Sequence, residues 1–175
     1  MDFFTEHIIK QKKSKKVFLA AAGMVVLTLA VWIFTFPFVA HPMLSSIVGL
    51  IDAAAVYASY VVISNFNIEY EYCVTNSEMD VDKITNRKKR KRITSVRFTD
   101  MEIMAPCGDS RFAREKNATF AQVHMAAKSA NDPDAYFIIY EEGGKRTKLV
   151  FNPTQKMIDS AKFFAPRKVV CQDSN

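Results

Sequence analysis

An uncharged stretch at residues 17–40 constrains this chain more than any other feature of its sequence. Its 24 residues, VFLAAAGMVVLTLAVWIFTFPFVA, contain no Asp, Glu, Lys or Arg. A helix rises about 1.5 Å per residue, so this stretch is long enough to cross the roughly 30 Å hydrocarbon core of a bilayer. Because lipid offers the backbone no hydrogen-bond partners, a spanning run of this kind is helical. The sequence therefore predicts a transmembrane helix.

A second apolar stretch, at residues 43–64, is weaker because its interior carries Ser45, Ser46, Ser59 and Asp52. It is still long enough to cross a bilayer. Only the dipeptide His41-Pro42 separates the two stretches, so we predict a tight antiparallel hairpin over residues 17–64. A cleaved signal peptide is the alternative for residues 1–40, but its apolar core would far exceed the usual length and no A-x-A site follows.

The lysines next to the first stretch predict the orientation of the hairpin. The link between the two spans has no Lys or Arg, whereas the basic N-terminal tail, residues 1–16, holds five lysines: Lys10, Lys12, Lys13, Lys15 and Lys16. Cytoplasmic flanks carry an excess of basic residues. We therefore expect a two-span plasma-membrane protein with both termini in the cytoplasm, whose first partner is the lipid bilayer.

Asp52 is the one ionisable residue within the predicted spans. A carboxylate at that depth is costly unless it is protonated or paired. It could serve a proton or ion relay, or contact a partner helix. It could equally be a structural, protonated side chain, hydrogen-bonded to Thr28 or Ser59 or facing a second copy. A hairpin that closes at residues 41–42 would place Asp52 level with residues 28–32. Small residues on both spans, including Gly23 and Gly49, would permit close packing.

The net charge of +6 is unevenly distributed along the chain. Residues 1–16 contribute +3, and residues 65–175 hold 19 basic and 15 acidic side chains. The second region is thus not uniformly basic, which makes nucleic acid an improbable partner. The tail itself is expected to be either a short interfacial helix, with Phe4 and Ile8 on one face, or disordered.

Beyond residue 64 the pattern changes to short runs that alternate between apolar and polar residues, as half-buried strands do. Turn-forming pairs such as Asn76-Ser77 and Gly143-Gly144 separate several of these runs. Residues 119–127 could be a strand or a short helix, and the alternation favours a strand. The predicted strands are residues 66–75, 79–85, 93–98, 101–105, 135–141 and 147–151.

The end of the chain has a different period. Asn152 and Pro153 suit an N-cap and the first position of a helix. Apolar residues then recur at helical spacing until Pro166, which predicts an amphipathic helix over residues 153–165. The expected fold class is α+β: a transmembrane hairpin, then an antiparallel β-barrel or sandwich with a C-terminal capping helix.

Three segments carry a resemblance to a known family: YEYCVTN from Tyr70, the basic segment leading into ITSVRFTDMEIMAP, and the closing F-N-P-x-x-x-M-I from Phe151. Together they resemble uncharacterised two-span bacterial membrane proteins, of the clostridial Gram-positive type, with a cytoplasmic pleckstrin-homology-like (PH-like) domain. The resemblance implies a PH-like fold over residues 65–175. It implies no reaction and no catalytic residue, and a binding or scaffold role rests on analogy of fold.

The candidate binding site is the dense basic run Arg87-Lys88-Lys89-Arg90-Lys91-Arg92, which follows the acidic residues 69–82. It could hold the domain against an anionic inner leaflet. It could contact nucleic acid, although it lacks interleaved aromatic residues for base stacking. It could also be a solvated turn between two strands, partly neutralised by the acidic strand beside it.

No catalytic, cofactor or metal site is predicted. The three histidines lie in different regions, and the three cysteines are widely spaced, without a C-x-x-C pair. We therefore expect a non-catalytic, membrane-anchored binding or scaffold module. The alternative is an accessory subunit of a membrane transport or envelope complex, packing against a protein partner or a second copy through the hairpin.

Overall fold

The computed structural model describes residues 3–171, which divide into two compact units. One unit comprises residues 13–67 and is helical. The other combines the chain before residue 13 with the chain from residue 68 onward, and it is built mainly of strands. The second unit is therefore assembled from two segments that the helical unit separates in sequence.

The helical unit contains two long helices, α1 (Lys15–Thr35) and α2 (Ser45–Asn65). Ser14 caps the first helix, because its side chain accepts a hydrogen bond from the Val17 amide at 3.4 Å. A short 3₁₀ segment, Phe36–Phe38, follows α1 and contains Pro37. Both predicted helices are present, but the link between them spans residues 36–44 rather than a single dipeptide.

Four antiparallel strands form sheet A in the order β1-β2-β3-β4. Their bounds are β1 Phe4–Lys10, β2 Ile68–Thr75, β3 Glu78–Thr85 and β4 Lys89–Arg97. The prediction of an interfacial helix in the N-terminal tail was wrong. The tail instead forms strand β1, which pairs with β2 from Phe4 opposite Thr75 to Lys10 opposite Glu69. Its apolar residues suit a strand that packs beside β2. This long-range pairing could not be read from the tail alone.

Sheet B also has four strands, in the order β5-β7-β8-β6. They are β5 Ile103–Pro106, β6 Gln122–Met125, β7 Tyr136–Glu142 and β8 Lys145–Phe151. The strand interpretation of residues 119–127 is confirmed for β6, but this strand runs parallel to β8. Between β5 and β6 lie a 3₁₀ turn, Ser110–Phe112, and the one-turn helix α3, Ala113–Lys116.

One hydrophobic core is shared by both sheets and the C-terminal helix α4 (Gln155–Phe164). Sheet A contributes residues such as Tyr72 and Val81, sheet B contributes Ile138 and Phe151, and α4 contributes Met157. A second cluster on the other side of sheet B is built around Phe137 and Ile139. Because β7 is buried on both faces, its sequence YFIIY is continuously hydrophobic rather than alternating.

The C-terminal helix begins later than predicted, at Gln155, with Thr154 as its N-cap. Asn152 does not cap it, because this side chain is buried and its Oδ1 accepts the Lys128 amide at 2.8 Å. The predicted α+β class is confirmed: two apolar helices and two largely antiparallel sheets with a C-terminal helix against their core. The sheets are separate, so no closed barrel forms.

Adjacent isoleucines of β1 provide a direct test of its structural role. Ile9 is 3% exposed within the core, whereas Ile8 is 49% exposed on the opposite face. We expect Ile9→Ala to lower the free energy of unfolding by about 2–4 kcal/mol, since it leaves a cavity. Ile8→Ala is the matched control and, for the single chain at high dilution, is expected to change it by less than about 0.5 kcal/mol. Urea titration of the detergent-solubilised full chain, followed by near-UV circular dichroism, measures both; equal effects would contradict the assignment.

Candidate functional site

The two long helices present apolar side chains to their surroundings. By length and composition both are able to cross a membrane, with mean hydropathies of 2.5 and 1.8. Their large side chains are not packed into a protein core: Phe18 and Ile33 of α1 are each 76% exposed, and Leu50 of α2 is 72% exposed. Water is an unfavourable environment for so much apolar surface.

Polar contacts join α1 to α2 at two levels, and one of them involves Asp52. Thr35 Oγ1 donates to Asp52 Oδ1 at 2.9 Å, and Thr28 Oγ1 lies 2.6 Å from Ser59 Oγ. The expected level of Asp52 opposite residues 28–32 was wrong by about one helical turn. The long link moves the antiparallel register, so Asp52 lies closer to the link and about 10 Å along α2 from its first residue.

A shallow groove beside Asp52 is lined by one residue of α1 and five of α2: Trp32, Asp52, Ala53, Val56, Tyr57 and Tyr60. It is mainly apolar, with the carboxyl group and the tyrosines as its polar elements. The predicted glycine packing is not seen, because a Cβ built at Gly23 or Gly49 would meet no atom within 4 Å. The polar side chains, rather than the glycines, make the specific contacts described between the helices.

The basic run lies largely in a strand rather than in a turn. Only Asn86, Arg87 and Lys88 separate β3 from β4, and Lys89 already belongs to β4. Asn86 and Arg87 both have positive φ, 52° and 54°, as in the tight turns that suit twisted hairpins. The alternative of a solvated turn therefore holds only for Arg87 and Lys88, because residues 89–92 belong to β4. The strand pairs with β3 from Lys89 opposite Thr85 to Arg97 opposite Glu78, with one register shift at Ile93.

The arginines of the run bind acidic residues of β2 and β3. Arg87 lies 3.3 Å from Glu69, Arg90 bonds Glu71, and Arg92 contacts Asp80 at 2.7 Å and also bonds Asp82. Glu71 is 5% exposed and Asp82 is 9% exposed, so these carboxylates depend on the guanidinium groups that cover them. The hydrogen bond to Asp82 raises the pKa of Arg92.

The lysines of the run differ from the arginines. Lys88, Lys89 and Lys91 are exposed, and within residues 3–171 they form no ion pair. Alternation along β4 accounts for the difference, since Lys89 and Lys91 point to the opposite face from Arg90 and Arg92. The register places Lys91 opposite Lys83, which adds a fourth positive charge to that side. The basic run thus has a neutralised half and an available half.

These lysines lie at a defined end of sheet A. Thr85 pairs with Ile68 on one side and with Lys89 on the other, and Glu69 pairs with Lys10. The β3–β4 turn therefore lies at the end where β1 finishes and β2 begins. With about 4.8 Å between neighbouring strands, the turn is about 10–15 Å from the points where the chain enters and leaves the sheet.

Two buried polar networks were not predicted from the sequence. The Tyr72 hydroxyl donates to the Ala126 carbonyl and accepts the Asn152 amide at 3.3 Å. Burial raises the pKa of Tyr72 well above its usual value. Tyr70 and Tyr72 lie on the same face of β2, so the sequence does not indicate which of the two hydroxyl groups makes these hydrogen bonds.

The second network joins the two sheets. Thr94 of β4 lies 2.6 Å from the Tyr140 hydroxyl and donates to Glu142 at 2.9 Å, and Glu142 lies 3.3 Å from His124. Burial is the main cause that raises the pKa of Tyr140 to about 12. His124 belongs to β6 and Glu142 to β7, so this contact links two strands of sheet B. Neither network, nor any other group within residues 3–171, gathers three or more potential metal ligands.

Two sheets with a C-terminal helix against their shared core, and a basic hairpin at one end, make up this domain, and two candidate membrane helices accompany it. The family model described as Bacterial PH-like domain (DUF6106) matches residues 1–171, and the chain belongs to this family. No curated protein and no solved structure matches the chain. The match begins before β1, in agreement with the place of that strand in the sheet.

Neutralising the two kinds of basic residue should have different effects on stability. Replacing Arg90 and Arg92 by Gln leaves Glu71 and Asp82 without charged partners, so we expect a loss of about 1–3 kcal/mol in the free energy of unfolding. Replacing Lys89 and Lys91 by Gln removes the same charge from the same strand, and should cost less than about 0.5 kcal/mol. Urea titration compares the two double variants, and equal losses would contradict the division between arginines and lysines.

Proposed function

We propose that this chain is an integral membrane protein in which the helical hairpin anchors a cytoplasmic PH-like domain. The domain acts as a non-catalytic binding or scaffold module and contacts the anionic inner leaflet through Lys88, Lys89 and Lys91. The observation that carries the proposal is the separation of charge within the basic run. The arginines are held by carboxylates, whereas the lysines are available to phosphate groups.

The pairing of β1 with β2 supports a two-span topology. β1 precedes α1 and β2 follows α2, yet the two strands pair over seven residues. Both must therefore lie on the same side of any membrane that the helices cross, which requires an even number of crossings. The lysine-rich flank that follows β1 favours the cytoplasm as that side.

Short connections support contact between the lysines and the membrane surface. Residues 11–14 join β1 to α1, and residues 66–67 join α2 to β2. Fully extended, these links reach at most about 14 Å and 7 Å. The end of sheet A that carries the lysines is thus the end from which both connections to the helices depart. Attraction to an anionic surface acts over about 10 Å at physiological salt. Each lysine near an anionic surface contributes about 1 kcal/mol.

Photocrosslinking tests this contact. The full chain is placed in nanodiscs with a photoactivatable phosphatidylglycerol, and crosslinked peptides are mapped by mass spectrometry. We expect crosslinks around residues 83–92 that weaken at high salt. Replacing Lys88, Lys89 and Lys91 by Gln should reduce them about 100-fold, since about 3 kcal/mol of attraction is removed.

The matched control replaces three other exposed lysines, Lys145, Lys156 and Lys162, by Gln. It removes the same charge from the domain and should leave the crosslinks around residues 83–92 unchanged. Equal loss in both triple variants would show that only net charge matters. Crosslinks of the same strength to a photoactivatable phosphatidylcholine would contradict recognition of the anionic leaflet.

A second candidate function is that of an accessory subunit, favoured by the groove beside Asp52. Its indole, phenol and carboxyl groups could pack against a helix of a larger membrane complex. We expect Asp52→Leu to reduce the size of complexes isolated in mild detergent if this function holds, while Leu50→Ala, at another exposed position of α2, leaves it unchanged. Size-exclusion chromatography with light scattering measures both, and an unchanged size in Asp52→Leu would argue against the subunit role.

A further inference from the structure

The outer edge of β1 carries backbone groups that pair with no other strand in the described part of the chain. The Asn76 amide donates to the Phe3 carbonyl at 2.7 Å, and the Gln11 amide donates to the Ile68 carbonyl at 3.0 Å. The odd-numbered residues of β1 therefore point their backbone groups toward β2. In an antiparallel pair such residues alternate, so the even-numbered residues point theirs away from the sheet.

The even-numbered residues of β1 are Phe4, Glu6, Ile8 and Lys10. Their side chains are all exposed, with Phe4 at 69% and Ile8 at 49%. Within residues 3–171, Glu6 and Lys10 form no ion pair, because Glu69 opposite Lys10 is bound by Arg87. An exposed edge strand with apolar side chains is a template for pairing with another strand.

The charges on this edge complement each other when the strand meets its own copy. In an antiparallel pair centred on Ile8, each Glu6 lies opposite Lys10 of the other copy. The free amides and carbonyls of Glu6, Ile8 and Lys10 then meet across the axis. Phe4 lies opposite Lys12, whose amide already donates to the Lys128 carbonyl at 2.7 Å. A register centred on His7 would instead place Glu6 opposite Ile8 and Lys10 opposite Phe4, leaving both charges unpaired.

We propose that two copies of this chain associate edge to edge through β1, with Ile8 on the two-fold axis. Sheet A of one copy then continues into sheet A of the other as a sheet of eight strands. Two symmetric Glu6–Lys10 pairs fix the register, and the Ile8 side chains contact each other on the outer face. The pairing covers the outer edge of β1 from Glu6 to Lys10.

Disulfide crosslinking of the full chain in its native membrane tests the register. Ile8→Cys places two thiols at the axis, where opposed Cα atoms lie about 5.5 Å apart, within the range of a disulfide. We expect mild oxidation to give a covalent dimer. Phe4→Cys is an equally exposed control, but its two copies would lie about 27 Å apart along the strands, so no dimer is expected. The unsubstituted chain, with its three cysteines, gives the background.

Charge reversal tests the pairing itself. Glu6→Lys or Lys10→Glu alone places like charges opposite each other, which should weaken the dimer about tenfold in detergent. The double variant Glu6→Lys with Lys10→Glu restores opposite charges and should restore the dimer. Analytical ultracentrifugation measures all three. A merely destabilised strand would not be rescued by the second reversal.

Several results would overturn the proposal. Equal crosslinking at residues 4 and 8 would show collision rather than a defined register. Failure of the double reversal to rescue the dimer would show that the Glu6–Lys10 pairs do not form. Loss of the crosslink at residue 8 on Asp52→Leu would assign association to the hairpin. A monomeric chain that binds an extended peptide at β1 would show that this edge pairs with a different partner.

Discussion

The pairing of β1 with β2 is the interaction on which the rest of the structure depends. It brings together strands that 57 residues separate in sequence, between Lys10 and Ile68. The pairing completes sheet A and buries Ile9. It also brings the last residue of β1 and the first residues of β2 to the same end of the sheet, from which both connections to the helices depart. The helical unit is thus an insertion between two adjacent strands of one domain, not a leader attached to its end.

Alternation along β4 divides a single basic run between the two faces of the strand. Successive side chains of a strand point to opposite faces. Arg90 and Arg92 meet carboxylates of β2 and β3, where the planar guanidinium can bridge two acids at once. Lys89 and Lys91 reach the other side, and in the proposed function a compact ammonium on a flexible stem suits loosely ordered phosphate groups. The choice between Arg and Lys therefore follows the face of the strand.

Much of this architecture was predictable because its signals are local. The uncharged stretch predicted α1, the alternation in residues 66–75 predicted β2, and the Gly143-Gly144 turn predicted the β7–β8 hairpin. The register of Asp52 was not predictable, because it depends on how residues 36–44 fold. The role of β1 was hidden for a similar reason: FTEHIIK has no partner nearby in sequence, and a lysine-rich flank resembles a disordered tail.

The candidate site was predictable in location but not in composition. The density of charge marked residues 87–92, yet only the sheet register shows which of them are neutralised. Six basic residues in a row would be expected to repel one another and remain in solvent. Cross-strand acids at Glu69, Glu71 and Asp82 instead order three of them, leaving a smaller and more directed patch of charge.

The insertion of the hairpin between β1 and β2 also constrains the order of folding. β1 leaves the ribosome first, but its partner strand emerges only after both helices. On the proposed topology, β1 stays unpaired until the hairpin has entered the membrane and returned the chain to the same side. Closing so long a loop is entropically costly for a flexible chain. A compact helical hairpin shortens the effective loop, because Thr35 and Asp52, and Thr28 and Ser59, hold α1 against α2. Formation of the anchor thereby favours completion of the domain.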